Sequence, residues 1–141
     1  MIPRRGNIGG ENPSEFGLIS RLAELCDTGN TNDASSVLTG IGDDSAVVST
    51  KSGEILLTTD AMVDGVHFLS AAKRWHDIGW KCAVSNLSDI AAMGGVPDHA
   101  LITLGIPSDA STDIYTDLYL GMNEAFDKFG GKIVGGDVVS S

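Results

Sequence analysis

Apolar and polar residues follow two rhythms along this chain, and the changes of rhythm predict where helices give way to strands. Phe16, Ile19, Leu22 and Ala23 recur at helical spacing behind Ser14, a residue able to cap a helix. The pattern stops near Cys26, ahead of a loop rich in Gly, Asn, Thr and Asp. Ala46–Val48 and Glu54–Thr59 read as strands joined by a turn through Lys51, Ser52 and Gly53. A helix from about Arg74 to Met93 places Trp80, Val84, Leu87 and Ala91 on one stripe at i, i+4, i+7 and i+11, and Gly94-Gly95 supplies its stop. With about 100° per residue, Asp89 points away from that stripe, while Lys81 and Ser85 lie on its flank. A strand at Ala100–Leu104, a helix from about Thr112 to Phe129 and a strand at Lys132–Val134 complete the pattern. Helices and strands interspersed without a strict repeat predict an α+β fold, a mixed β-sheet packed against helices.

Composition sets the boundaries of that picture. Residues 1–13 contain Pro3, Gly6, Gly9, Gly10 and Pro13, which resist helix and strand and read as a flexible arm. This leaves 14–141 as one domain, and with 42% hydrophobic residues a chain of 141 can bury a core. Nine Lys plus Arg against nineteen Asp plus Glu give a formal charge of −10, which excludes the basic stripe that a nucleic-acid surface needs. An acidic protein that handles phosphates recruits them through metal. Cys26 and Cys82 have no metal-ligand spacing and are too few for a disulfide framework, so a reducing compartment follows. Arg4 and Arg5 are not followed by an apolar stretch and no window can span a bilayer, so the expected location is cytoplasmic, with no membrane partner.

The candidate chemistry is carried by acids at turns and strand ends. Gly40-Ile41-Gly42-Asp43-Asp44 lets the backbone turn tightly before paired carboxylates, of which at most one reaches a given metal, since adjacent side chains on a strand diverge. Thr58-Thr59-Asp60 follows an apolar run and so falls at the rim of a sheet, where ligands gather; the hydroxyls can add oxygen ligands. Strand propensity and turn capping account for the same residues without function. Asp64-Gly65-Val66-His67-Phe68 offers a His able to contact a phosphate or a ring. Asn86, Ser88 and Asp89 interrupt a helix with polar groups, and Asp89 has no basic residue at i±4 to pair with, position 85 being Ser and position 93 Met. Gly135-Gly136-Asp137 is a further turn ending in an acid. No P-loop, His-Glu-x-x-His or Cys-x-x-Cys occurs, so P-loop ATPase and zinc chemistry are not supported.

Taken in order, these segments resemble the thiamine-monophosphate kinase family, within the superfamily of aminoimidazole ribonucleotide synthetase, selenophosphate synthetase and a hydrogenase maturation factor. The match runs from about Glu15 to Asp137 through EFGLI (15–19), GIGDDSA (40–46), TTD (58–60), DGVHF (64–68), GWK (79–81) leading to NLSDIAAMG (86–94), and GGD (135–137). The resemblance implies the amino-terminal domain of the aminoimidazole ribonucleotide synthetase-like fold and ATP-dependent, direct phosphoryl transfer to thiamine monophosphate. By motif, Asp44, Asp60, Asp89 and Asp137 would bind several Mg²⁺ ions, Thr58 and Thr59 would add oxygen ligands, and His67 would touch the thiamine phosphate. Gly136 and Asp137 would also lie against ATP, with Tyr119 a further nucleotide contact. A homodimer is implied as well. Phosphoryl transfer asks mainly for positioning and charge neutralisation between two anions, which metal-bound carboxylates supply.

Ser85 stands where the family commonly has Val, and Ser14 where Gly is usual; neither is expected at the ligand. Family members continue beyond Gly-Gly-Asp with a further strand and a second α/β domain, so the resemblance implies an amino-terminal half incomplete at its C-terminal edge, with little kinase activity alone. The alternatives are another ATP-dependent member of the superfamily, selenophosphate synthetase or the hydrogenase maturation factor, or a non-catalytic Mg²⁺-nucleotide-binding dimerisation module. The first of these calls for a reactive residue near the start, whereas Cys26 lies outside the motifs.

Overall fold

The computed structural model describes residues 14–26, 36–107 and 110–140; the expected arm at 1–13 lies outside them. In chain order the elements are α1 (Glu15–Cys26), β1 (Val37–Thr39), β2 (Ala46–Thr50), β3 (Gly53–Leu57), α2 (Trp75–Ala92), β4 (His99–Ile106), α3 (Thr112–Phe129) and β5 (Lys132–Ser140), with a short 3₁₀ turn at Ser70–Ala72. The α+β class stands, and the mixed pairing is divided between two sheets. One is three-stranded and antiparallel in the order β1-β2-β3, the other a parallel pair of β4 and β5. A parallel pair needs a crossover, and α3 supplies it.

Helix ends are where local chemistry allows them. The Ser14 hydroxyl accepts from the Gly17 N–H at 3.3 Å, opening α1. The Ser111 side chain accepts from the Asp113 N–H at the start of α3. At the end of α2, Gly94 takes φ +72°, which a side chain would disfavour, and the Gly95 N–H bonds to Ile90 O at 2.9 Å.

The core lies between α2 and α3 and under the second sheet. Ile78, Ala83 and Leu87 from α2 meet Leu118, Met122, Ala125 and Phe126 from α3, with Ala100, Ile102, Leu104 and Ile133 packed against them. The buried stripe of α2 is therefore centred on Ile78, Gly79, Ala83 and Leu87, with Trp80 and Val84 at its edge and Ala91 exposed, a correction to the stripe read from hydrophobicity. Glycine has no side chain to announce itself in a hydrophobic pattern, yet it marks the crossing. A Cβ on Gly79 would stand 1.9 Å from Leu118 O, and one on Gly121 1.9 Å from His76 O. Around this contact His76 Nε2 lies 3.0 Å from Glu124, and Trp80 packs against Phe129.

β5 is longer than the strand expected at Lys132–Val134, running on through Gly135-Gly136-Asp137 instead of turning there. Gly136 has φ +152°, and a Cβ on it would lie 1.8 Å from Ile102 O, so the glycine is demanded by the neighbouring strand. The β4–β5 register shifts between Ala100 and Leu101: Ala100 faces Ile133 but Leu101 faces Gly135, which leaves Val134 as an extra residue. In the resulting register Asp137 is opposite Thr103, on the face turned away from the helices. β3 ends at Leu57, so Thr58, Thr59 and Asp60 lie just past it, and β1 is a short strand that the sequence pattern did not announce.

Gly121→Ala tests the crossing. In a free-standing helix this change gains about 1 kcal/mol. Here the methyl group has no room, so we expect a loss of about 2 kcal/mol in urea or thermal unfolding.

Candidate functional site

Where β3 ends, the chain runs alongside α2, and the polar residues of that helix become its partners. The Thr58 hydroxyl lies 2.9 Å from Asp89 Oδ2 and 3.1 Å from Asp44 O, so a single side chain ties the acidic turn to the helix. It has one proton to donate between these acceptors. Asp89, whose sequence offered no ionic partner, is thus half-buried against a hydroxyl. One turn earlier Asn86 Oδ1 accepts from the Asp60 N–H at 2.9 Å, while its Nδ2 donates to Cys82 O at 3.1 Å. Burial pushes the Cys82 thiol pKa up, and the charge of Asp60 adds to the shift, which places that carboxylate beside the same face of α2.

The acidic turn folds on itself through the Asp44 N–H, which donates to Asp43 Oδ1 at 2.9 Å. Asp43 thereby serves the backbone of the turn. Next to it, Ser45 is 2% exposed and its Oγ has no hydrogen-bond partner among the described residues. A buried hydroxyl left unpaired costs about 1–3 kcal/mol, so this atom awaits a partner. Asp44, Ser45, Thr58 and Thr59 line a cleft of about 650 Å³, closed on the other side by Phe16 and Ile19 of α1.

His67 lines a second cleft of about 580 Å³ with Lys73, Lys81 and Ile78. The loop that carries it is closed by Asp64, whose carboxylate accepts from both the hydroxyl and the N–H of Ser70. The Ser70 hydroxyl first, and then its N–H, hold the Asp64 pKa below its ordinary value of 3.8. Asp64 is fully exposed, so this is a local matter.

The expected site residues are therefore distributed. Asp44, Thr58, Thr59, Asp60 and Asp89 meet where β3 ends beside α2; His67 belongs to the second cleft. Gly136 and Asp137 are on β5, and Tyr119 is half-buried on α3, packed against the core. Among the described residues, no group of three or more His, Cys, Asp or Glu side chains converges in a form that could hold a metal ion. The donors are nevertheless all oxygen: carboxylates, a threonine hydroxyl and the orphaned Ser45 Oγ. That set suits Mg²⁺, which keeps several waters and is bound by one or two carboxylates together with substrate phosphates. Asn86 and Lys81 are the residues that reading the sequence did not assign. The signal for Asn86 was available in its position three before Asp89, on the same side of the helix.

An α+β domain with carboxylates and hydroxyls gathered at a strand end beside a helix is a frame for oxygen-seeking ions and phosphates. Residues 42–141 match the family model for the AIR synthase related protein, N-terminal domain, and the chain belongs to that family. It is 42% identical over 118 residues to the thiamine-monophosphate kinase of Rhodopirellula baltica, covering 78% of this chain and 37% of that protein. With the thiamine-monophosphate kinase of Bacillus subtilis it shares 40% identity over 128 residues, covering 90% of this chain and 38% of the relative. A solved structure of AaThiL complexed with AMPPCP and TMP superposes with TM-score 0.79 at 35% identity, over 90% of this chain and 38% of that one. The chain thus spans well under half the length of these relatives.

The clasp gives a pH test. Because the folded-state pKa of Asp64 is depressed, the clasp is intact above the ordinary value of 3.8 and is lost as pH falls through the lower folded value. The Ser70 amide resonance should titrate with a midpoint below 3.8, and Ser70→Ala should move the Asp64 midpoint up towards it.

Proposed function

We propose that the polypeptide carrying this chain is a thiamine-monophosphate kinase, transferring the γ-phosphate of ATP directly to thiamine monophosphate to give thiamine diphosphate and ADP. The observation that carries the reading is the Thr58 hydroxyl set between Asp89 and Asp44, in a family whose compared relatives bear this activity in their names. AaThiL, the solved relative, was complexed with AMPPCP and TMP, which supports the same pair of ligands here.

In this reading Asp44, Asp60, Asp89 and Asp137 hold Mg²⁺, with Thr58 and Thr59 as further oxygen ligands. When bound, Mg²⁺ there would supply neutralisation of the phosphate charge that phosphoryl transfer requires. The chain's own part is placement. Asn86 fixes the backbone of Asp60, and Thr58 orients the Asp89 carboxylate, so the acids are set before any ligand arrives. His67 meets the thiamine phosphate from the second cleft. About eight residues of α2 separate Lys81 from Asp89, roughly 12 Å of helix, a span that allows the two clefts to serve one extended pair of phosphorylated ligands. Gly136, Asp137 and Tyr119 are assigned to ATP. A homodimer belongs to the reading too, supported by the outward face of the second sheet, where Leu101 is 75% exposed and Val139 49%. So does a cytoplasmic location, supported by Cys26 and Cys82 both being free thiols. No helix among the described residues is long and apolar enough to cross a membrane.

Calorimetry with Mg²⁺-ATP tests the metal site directly. Asp89→Asn should weaken Mg²⁺-dependent nucleotide binding by about tenfold or more, the loss of a charge-assisted ligand; an unchanged titration removes Asp89 from the site. ADP formation by the complete polypeptide should depend on thiamine monophosphate, and this chain alone should form little.

A further inference from the structure

His67 belongs to no helix or strand, so presenting one edge of its ring to a ligand requires a frame. The Val63 N–H donates to His67 Nδ1 at 3.0 Å, and the His67 N–H donates to Val63 O at 2.9 Å. An N–H pointing at Nδ1 needs a lone pair there, so the neutral ring carries its proton on Nε2. The remaining ring nitrogen is then a donor, the polarity that a phosphate oxygen accepts. The carbonyl of the same residue is held from the opposite side: Lys81 Nζ, reaching across from α2, donates to His67 O at 2.7 Å.

The other contacts of this loop act elsewhere on it. Asp64 closes on Ser70, the Gly65 N–H donates to Phe68 O at 2.8 Å, and the Phe68 ring sets its edge against Trp75 at 6.2 Å. Lys81 alone among these ties His67 itself to the helix that carries Asn86 and Asp89. Its place on that helix is fixed in turn, because Gly79, two residues earlier, is seated against Leu118. A carbonyl held by an ammonium makes a charge-assisted bond, stronger than a neutral one.

We infer that Lys81 is the positioning residue for His67: its ammonium holds the His67 carbonyl so that the ring keeps the Nε2–H tautomer and presents that proton in the second cleft. This rests on the reading of His67 as the contact to the substrate phosphate. Lys81 acts through the histidine, and its loss therefore appears in the binding of the acceptor substrate.

The test is steady-state kinetics on the complete polypeptide, with thiamine monophosphate varied at saturating Mg²⁺-ATP. Lys81→Met should raise the KM for thiamine monophosphate about tenfold while kcat and the KM for ATP stay within about twofold. Lys81→Arg, which keeps a charged donor, should recover most of the loss. Should the Met variant fold poorly, Lys81→Gln reads the same effect with a neutral donor. Nitrogen NMR of labelled histidine should show His67 Nδ1 as an unprotonated acceptor in the parent and a tautomer mixture in Lys81→Met. In a His67→Ala background, Lys81→Met should add less than about twofold. An equal loss with or without His67, or an unchanged KM together with an unchanged tautomer spectrum, overturns the proposal. If His67→Ala alone leaves the KM unchanged, the reading of His67 as a phosphate contact fails instead, while the spectrum still decides whether Lys81 sets the ring.

Discussion

Everything in this domain is arranged around the place where α2 and α3 cross on glycine. With no side chain at Gly79 or Gly121 the two backbones come close enough that a single added carbon would overlap a carbonyl oxygen. That approach gives Met122 and Ala125 their near-complete burial, at 1% and 0% exposure, and brings the inner face of the second sheet down on both helices. It also fixes α2 in rotation. Once Gly79 faces α3, the side of the helix bearing Asn86 and Asp89 is turned towards the end of β3, and Lys81 towards the loop of His67. The packing contact and the polar contacts are thus set together by the rotation of one helix.

The sequence made some of this legible and concealed the rest for physical reasons. α2 and α3 were readable to within a residue, because long apolar periodicity and Gly stops are strong local signals. Asp89 could be singled out by what its surroundings lacked, a cation one turn away, and the structure supplies a hydroxyl in that role. The glycine crossing was invisible to a hydrophobic pattern, which is why the stripe on α2 was read too far towards Trp80 and Ala91. β5 was cut short at Val134 because consecutive glycines normally punctuate; here a parallel neighbour supplies the ladder that keeps them extended. Three residues are too few to set a period, so β1 left no trace.

The acids divide in a way that motif order did not foretell. The backbones of Asp44 and Asp60 and the carboxylate of Asp89 are tied to one junction by the neutral residues Thr58 and Asn86, so these polar groups are as specific a signature as the acids themselves. Asp137 reaches the outer face of the other sheet by a separate route.

That route depends on the single unpaired residue in β5. Side chains alternate along a strand, so each inserted position reverses the face of everything after it. Pair every residue of the strand in turn, Val134 with Leu101, and Asp137 falls opposite Leu104, a carboxylate pressed into the apolar layer beneath the sheet. With Val134 bulged out of the pairing, the parity is restored in favour of solvent. The bulge is therefore a parity switch written into the chain's length: deleting Val134 would remove the extra residue and leave Asp137 opposite Thr103, whereas closing the bulge at unchanged length would exchange inside for outside along the remainder of the strand.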